Sequence, residues 1–167
     1  MRVSFCIPTH DGNARCQNYL FDIFHALSQQ TNKDFNVWIS DHSESDKVLD
    51  ACKEYADLFE INYIKNKKKY GNISANTNHA LQHADGSILK VLFSDDFILT
   101  NNLVEELDKA FTDGVHWAVT GYAHTVDDGH THYNPKIPYH NDKLLEGVNT
   151  LSSPCLLYTS PSPRDIS

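Results

Sequence analysis

The sequence lacks the features that announce several special classes of protein. No stretch approaches the roughly 20 consecutive apolar residues of a membrane-spanning helix. The start, MRVSFCIPTHDG, enters an apolar strand directly and has no signal-peptide architecture. Positive charge is scarce: 14 Lys and Arg stand against 22 Asp and Glu, a net charge of −8. That balance argues against general affinity for nucleic acid or anionic membrane, since both need a positive field. The 4 cysteines (Cys6, Cys16, Cys52, Cys155) lie far apart and form no CxxC pair, which leaves zinc-site and redox-motif readings weak. They read as reduced thiols of a cytoplasmic protein, two or three of them buried as small hydrophobes. Internal repeats are absent.

What is present is enough apolar matter for one globular core: 40% of 167 residues are hydrophobic. VSFCIP (Val3–Pro8), stopped by Pro and the turn-forming THDGN, reads as a strand. Leu20, Ile23, Phe24 and Leu27 then recur at helical spacing, predicting a helix from about Ala14 to Gln30. FNVWISD (Phe35–Asp41) is a second strand. HSESDKVLDACKEYADLF opens with Ser and Asp cap candidates and becomes a helix. INYIK (Ile61–Lys65) is a third strand, followed by the basic loop NKKKYGN. SANTNHALQHADG reads as a helix closed by Gly86 in a left-handed cap. ILKVLF is the fourth strand, NNLVEELDKAFTDG a helix closed by Gly114, and VHWAVTG a fifth strand.

This β-α-β-α-β-α-β order predicts an α/β fold with a mostly parallel, doubly wound, Rossmann-like sheet. Ligands of such sheets bind beyond the carboxyl ends of the strands. Three polar clusters fall there: Thr9–Asp11, Asp41–Ser43 and Ser94–Asp96. From about His124 to Asn141 the regular pattern dissolves into a loop rich in His, Asp, Gly and Pro, and KLLEGVNTLSSPC resumes some structure. LLYTSPSPRDIS, residues 156–167, is a Ser/Pro tract that resembles translated adapter sequence. It is set aside from fold reasoning as a non-native or disordered tail.

The adjacent carboxylates of Asp95 and Asp96 repel and lose hydration near a core, so something must compensate. They make a hard-oxygen site suited to Mg²⁺ or Mn²⁺, which take one or two protein carboxylates and complete the shell with water and substrate phosphates. The plainer alternative is that one Asp caps the following turn and the other is solvated. Asp41 can accept hydrogen bonds from a ribose or a base N–H, or cap the next helix, a task open also to Ser43 or Ser45. Thr9, behind Pro8, can present a backbone or hydroxyl group to a base, or shape a turn. Lys65, Lys67, Lys68 and Lys69 are either a diphosphate contact or a solvated loop. His130 and His132 form an HxH pair with no third ligand at a recognisable spacing. Asn76 and Asn78 can orient a ligand or decorate a helix start.

Taken together, the segments VSFCIPTHDG, FNVWISDHSESD, YGNISANTNHAL and ILKVLFSDDF resemble the inverting family-two nucleotide-sugar glycosyltransferases of GT-A fold. The resemblance covers Val3 to about Phe97, and more loosely runs to Pro154. It implies a GT-A domain over residues 1–155, incomplete at its C-terminal end. The nucleotide-binding half would span about 1–97 and a partial acceptor half 98–155. It further implies that Pro8, Thr9, Asp41 and Ser43 hold the nucleoside, with Asp41 near the base. Asn76, at the end of Gly71–Asn76, and Ser94 would lie by the donor. Asp95 would ligate Mg²⁺ or Mn²⁺ through the diphosphate, supported by Asp96.

The implied partners are a nucleotide-sugar donor, UDP-linked, and a carbohydrate, lipid-linked or protein acceptor. The sequence departs from the usual Asp-x-Asp-Asp at Phe93, giving Phe-Ser-Asp-Asp. Asp142 and Glu146 lie in the acceptor half, but neither matches the position of the family's catalytic base, which stays unassigned. Two rivals accompany this reading. One is a nucleotide-sugar and metal binder that transfers nothing. The other is a phosphoryl-transfer receiver, which needs an acidic pair after the first strand, where HDG supplies one carboxylate.

Overall fold

A computed structural model describes residues 1–12, 15–67, 72–112, 114–120, 122–125, 131–134 and 156–159. Four parallel strands form its centre: β1 (Val3–Thr9), β2 (Phe35–Asp41), β3 (Ile61–Lys65) and β4 (Ile88–Val91). The helices between them are α1 (Cys16–Ser28), α2 (Lys47–Tyr55) and α3 (Ile73–His83), and α4 (Leu103–Ala110) follows β4. Further strands are β5 (Trp117–Val119), β6 (Tyr122–Thr125), β7 (Thr131–Asn134) and β8 (Leu156–Thr159). The main sheet runs β3-β2-β1-β4-β8-β5, with β8 antiparallel to both its neighbours, and β6 and β7 form a separate antiparallel pair.

Side-chain alternation along the strands sorts the helices onto two faces. Val3, Phe5 and Ile7 of β1 and Phe35, Val37 and Ile39 of β2 join the core that contains α1, α2 and α4. Cys6, Leu89 and Val91 point the other way, onto Ala80 and Leu81 of α3. The expected doubly wound arrangement is therefore present. On the first face α1 buries Cys16, Leu20, Ile23, Phe24 and Leu27, a stripe at helical spacing. The rings of Phe5, Phe24, Phe35, Tyr55 and Phe59 seal the gap between that stripe and the sheet. Burying one such ring contributes about 2–3 kcal/mol by area alone.

Three local expectations come out differently. Gly86 is no left-handed cap: α3 ends at Ala84 in an extended conformation, and among the described residues the glycine with positive φ is Gly114, at 85°. Gly86 is required by proximity instead, because a Cβ there would stand 2.5 Å from Ser4 Oγ and 2.7 Å from Ser4 N. Asp46 takes the N-cap position of α2 without a side-chain cap bond, while Ser45 Oγ accepts from the Lys47 N–H at 3.4 Å and Ser43 turns to other partners. The stretch read as dissolving after His124 contains β6 and β7, whose Tyr- and Thr-rich sequences flank a DDG turn signal.

Leu156–Thr159, within the stretch set aside at the sequence level, pairs as β8. His130, Asp142, Glu146, Cys155, Lys68, Lys69 and Gly71 lie outside the described residues.

Candidate functional site

The parallel register aligns Thr9 with Asp41 and Asp41 with Lys65, so three strand tips meet at one edge of the sheet. Residues in register point to the same face. Asp41 is fully buried there. Its Oδ1 accepts from the Ser43 N–H at 2.8 Å and from the Thr9 hydroxyl at 3.4 Å. Its Oδ2 accepts from the Tyr63 hydroxyl at 2.7 Å and from Lys65 Nζ at 3.2 Å. Burial and this bond to Asp41 push the Tyr63 hydroxyl well above the ordinary tyrosine value. Lys65 also donates to the Ser45 carbonyl at 3.0 Å. A buried carboxylate is tolerable here because every partner is a donor and one carries a charge.

On the opposite face Asn76, from the first turn of α3, reaches between β1 and β2. Its Nδ2 donates to the carbonyls of Thr9 (3.1 Å) and Ser40 (3.0 Å). Its Oδ1 accepts from the Ser40 hydroxyl (2.6 Å) and from Asn66 Nδ2 (3.1 Å). All four hydrogen-bonding positions of the amide are thereby used. The Thr9 carbonyl accepts additionally from the His42 N–H at 3.1 Å. Beyond the tips, the Asp11 N–H donates to Ser43 Oγ at 2.9 Å, and Ser45 donates to Asp11 through both its N–H and its hydroxyl. The Ser45 hydroxyl holds the Asp11 carboxyl below the usual carboxylate value.

The acidic pair divides its labour. Residues 93–96 form a turn closed by Asp96 N–H to Phe93 O at 3.0 Å, and Asp96 Oδ2 accepts from the Phe93 N–H at 3.0 Å. Burial raises the Asp96 pKa, the Phe93 bond lowers it, Asp95 raises it and Lys90 lowers it, with a net upward shift. Asp95 sits exposed in the middle of the turn. Asp96 was expected beside Asp95 as a metal residue; the structure commits one of its oxygens to the backbone, where it locks the turn that presents Asp95.

A divalent cation can be tested against this donor set. Among the described residues no three His, Cys, Asp or Glu side chains converge on a common point, so an all-protein cage is not what they offer. One exposed carboxylate on a rigid turn does fit an ion that keeps several waters and takes its other ligands from phosphate oxygens.

The structure thus joins Thr9, Asp41, Ser43 and Asn76 in one buried network and leaves Pro8 buried in β1. Ser94 and Asp95 stand apart on the β4 turn, with no hydrogen bond to that network among the described residues. Asp41 is not open to solvent as a base acceptor, and Lys65 is held by Asp41 and Ser45. Ser40, Tyr63 and Asn66 were missed at the sequence level. Tyr63 was findable, since it lies two residues before Lys65 on a strand whose alternation places both on the Asp41 face.

An α/β sheet with a polar hydrogen-bonded network at the carboxyl ends of its parallel strands is the class these features define, and solved structures specify the type. Staphylococcus aureus TarS 1–349 matches with a TM-score of 0.72 at 20% identity, over 99% of this chain and 49% of that one. Its complex with UDP-GlcNAc matches with a TM-score of 0.73, over 99% of this chain and 47% of that one. The mannosyltransferase PcManGT from Pyrobaculum calidifontis, in complex with GDP-Man and Mn²⁺, matches at 0.59 and 20% identity, over 75% of this chain and 36% of that one. These likenesses establish the GT-A fold.

The chain belongs to glycosyl transferase family 2, whose pattern it matches over residues 4–159. Among curated relatives, TuaG of Bacillus subtilis (strain 168), named for teichuronic acid biosynthesis, is 25% identical over 127 residues, 76% of this chain and 49% of that protein. The minor teichoic acid biosynthesis protein GgaB of the same strain is 28% identical over 82 residues, 48% of this chain and 9% of that protein. The chain spans about half the length of TuaG and a small part of GgaB. No described helix is long and apolar enough to cross a membrane.

Proposed function

We propose that this chain is the donor-binding portion of a cytoplasmic glycosyltransferase that moves a sugar from a UDP-linked donor to an acceptor hydroxyl, in a single inverting displacement assisted by Mg²⁺ or Mn²⁺. The observation that carries it is the shared rim: the β1, β2 and β3 tips are fixed by Asp41, and the neighbouring β4 turn presents Asp95 outward. Structural relatives that hold UDP-GlcNAc, or GDP-Man with Mn²⁺, support the choice of donor and ion.

Asp41 acts in this reading through what it fixes. It sets the Ser43 backbone and the Lys65 ammonium at the rim, so an arriving base meets Lys65 rather than the carboxylate. Thr9 and Asn76 hold the β1 and β2 tips together, and Asp95 holds the cation. A bound divalent cation supplies neutralisation of the charge that builds on the departing diphosphate. The acceptor is a glycan or another hydroxyl-bearing polymer unit, in keeping with the names of the curated relatives.

Because the chain covers about half of TuaG, a second reading is a binder of nucleotide sugar and cation without transfer. Calorimetry with UDP, with and without Mn²⁺, combined with a donor-hydrolysis assay decides between them. Binding plus turnover supports the transferase, and binding alone supports the second reading. Asp95→Ala with undiminished Mn²⁺-dependent UDP affinity removes Asp95 as the cation residue.

A further inference from the structure

The acidic turn is the beginning of a longer irregular stretch. From Phe93 to Asn102 the chain has neither helix nor strand, and it exposes Phe97 and Leu99 to solvent. Ile98 packs partly against the core. A segment with so little burial of its own takes its position from its ends. The near end is the Phe93–Asp96 turn. The far end is held by a residue from the other side of the sheet's sequence, Gln30.

Gln30 follows the last turn of α1 and is 1% exposed. Its Nε2 donates to Thr100 O at 2.7 Å and to Ala26 O at 3.3 Å, while its Oε1 accepts from the Val104 N–H at 3.2 Å. The orientation of the amide is forced, since two partners are carbonyls and the third is an N–H. Next to it, the Thr31 N–H donates to Asn101 O at 2.7 Å. Helix α4 opens with N–H groups that have no intrahelical acceptor, and Asn102 at its N-cap makes no side-chain cap bond. Gln30 supplies the cap from another helix, and the same amide ties down the last residues of the irregular stretch.

The geometry points to Gln30 as a positioning residue for the acidic turn: by clamping Thr100 and Val104 to the end of α1, it fixes the far end of the segment whose near end presents Asp95. Its action on the cation is indirect and rests on the reading above that Asp95 takes one. Among the described residues Gln30 makes no hydrogen bond to the strand-tip network, so its loss acts on cation-dependent binding and spares cation-independent binding. A methionine of similar length keeps the volume but leaves two carbonyls and one N–H without partners.

The test uses the full chain, Gln30→Met, UDP and Mn²⁺, well below the unfolding temperature. Apparent Mn²⁺ affinity at fixed UDP falls, by less than the roughly ten- to hundredfold that follows loss of a direct hydrogen-bond partner of a metal ligand, because Gln30 bonds Thr100 and Val104 and not Asp95. UDP affinity without metal and the circular dichroism spectrum stay as in the wild type. A variant that melts earlier yet keeps full Mn²⁺ affinity overturns the positioning role and leaves Gln30 as a packing residue.

Amide hydrogen exchange on the wild-type chain gives a reading that needs no variant: Val104 N–H is protected if the clamp holds. Exchange there at the rate of an unprotected amide overturns the inference. A wild-type chain whose UDP affinity ignores Mn²⁺ refutes the proposed cation site itself, and this inference falls with it. That outcome is separate from a responsive wild type with an equally responsive variant, which defeats Gln30 alone.

Discussion

Asp41→Ala is the most informative single perturbation of the strand tips. The side chain is fully buried and serves 4 donors: the Ser43 N–H, the Tyr63 and Thr9 hydroxyls and the Lys65 ammonium. Alanine removes the acceptor and leaves the donors. The Thr9 bond, at 3.4 Å, is long and adds little. Lys65 is 29% exposed and recovers part of its loss by hydration. The Ser43 N–H is buried, Tyr63 is half-buried, and a buried donor left without a partner costs about 1–3 kcal/mol. That buried donor, the half-buried hydroxyl and the broken ion pair together give about 3–5 kcal/mol, the range for removing one partner of a buried charged pair.

For a chain of this length each kcal/mol moves the melting temperature by about 2–4 °C, so Asp41→Ala melts roughly 6–20 °C below the wild type. Asp41→Asn keeps the Oδ1 acceptor and falls by less. Thermal and urea unfolding followed by circular dichroism read both. An Asp41→Ala variant within about 1 kcal/mol of the wild type refutes the view that this carboxylate organises the rim. At temperatures where the variant is folded, UDP affinity drops with and without Mn²⁺, because the defect lies in the strand tips and not at the cation.

Asp95→Ala behaves oppositely: an exposed turn position changes stability by no more than about 0.5 kcal/mol, while EDTA and Mn²⁺ cease to alter UDP affinity in titration calorimetry. A destabilisation as large as that of Asp41→Ala places Asp95 in the fold rather than at the ligand. Burial pushes the Cys6 and Cys52 thiols up to about 12, so at pH 8 a thiol reagent leaves both unlabelled until urea unfolds the chain; peptide mass spectrometry of native protein showing either one modified is the contrary result.

Asp85 is held below the ordinary carboxylate value first by its bond from Asn36, and Glu60 by Asn62 and Arg2. A lowered folded pKa gives stability above the unfolded value that is lost as pH falls through the folded one, so the chain weakens below about pH 4. Asp85→Asn flattens that acid limb, and an identical limb in urea titrations at pH 3 to 6 contradicts the assignment.

The strands and helices were legible because short β-rich runs differ from stripes at helical spacing: β2 and β3 run as Phe35–Asp41 and Ile61–Lys65, the bounds read in the sequence. The meeting of Thr9, Asp41 and Lys65 at one rim was legible for a related reason, since parallel strands must deliver their ends to one edge. What stayed hidden is which polar residue faces which. At the sequence level Asp41 reads as a ribose or base acceptor or a helix cap, and Lys65 as a diphosphate contact or part of a solvated loop; neither reading includes the ion pair that register creates between them. Sequence spacing carries no record of that pairing until the strands are laid side by side. Gly86 shows the same limit, for its lack of a side chain answers to Ser4, 82 residues away. The divided roles of Asp95 and Asp96 depend on a turn whose closing bonds involve the backbone of Phe93, which no residue type signals.

Gly86 and the acidic turn sit at opposite ends of β4, a rod of only four residues. At about 3.3 Å per residue it spans about 13 Å. A methyl group forced in at Gly86 would collide with the backbone of Ser4 and lever the foot of this rod away from β1. Because the rod is short and stiff, the displacement arrives at its head, where Asp95 stands. With Asp95 in its proposed role, sequence variants that impair cation binding are therefore to be sought also on the far side of the sheet, around Gly86 and Ser4.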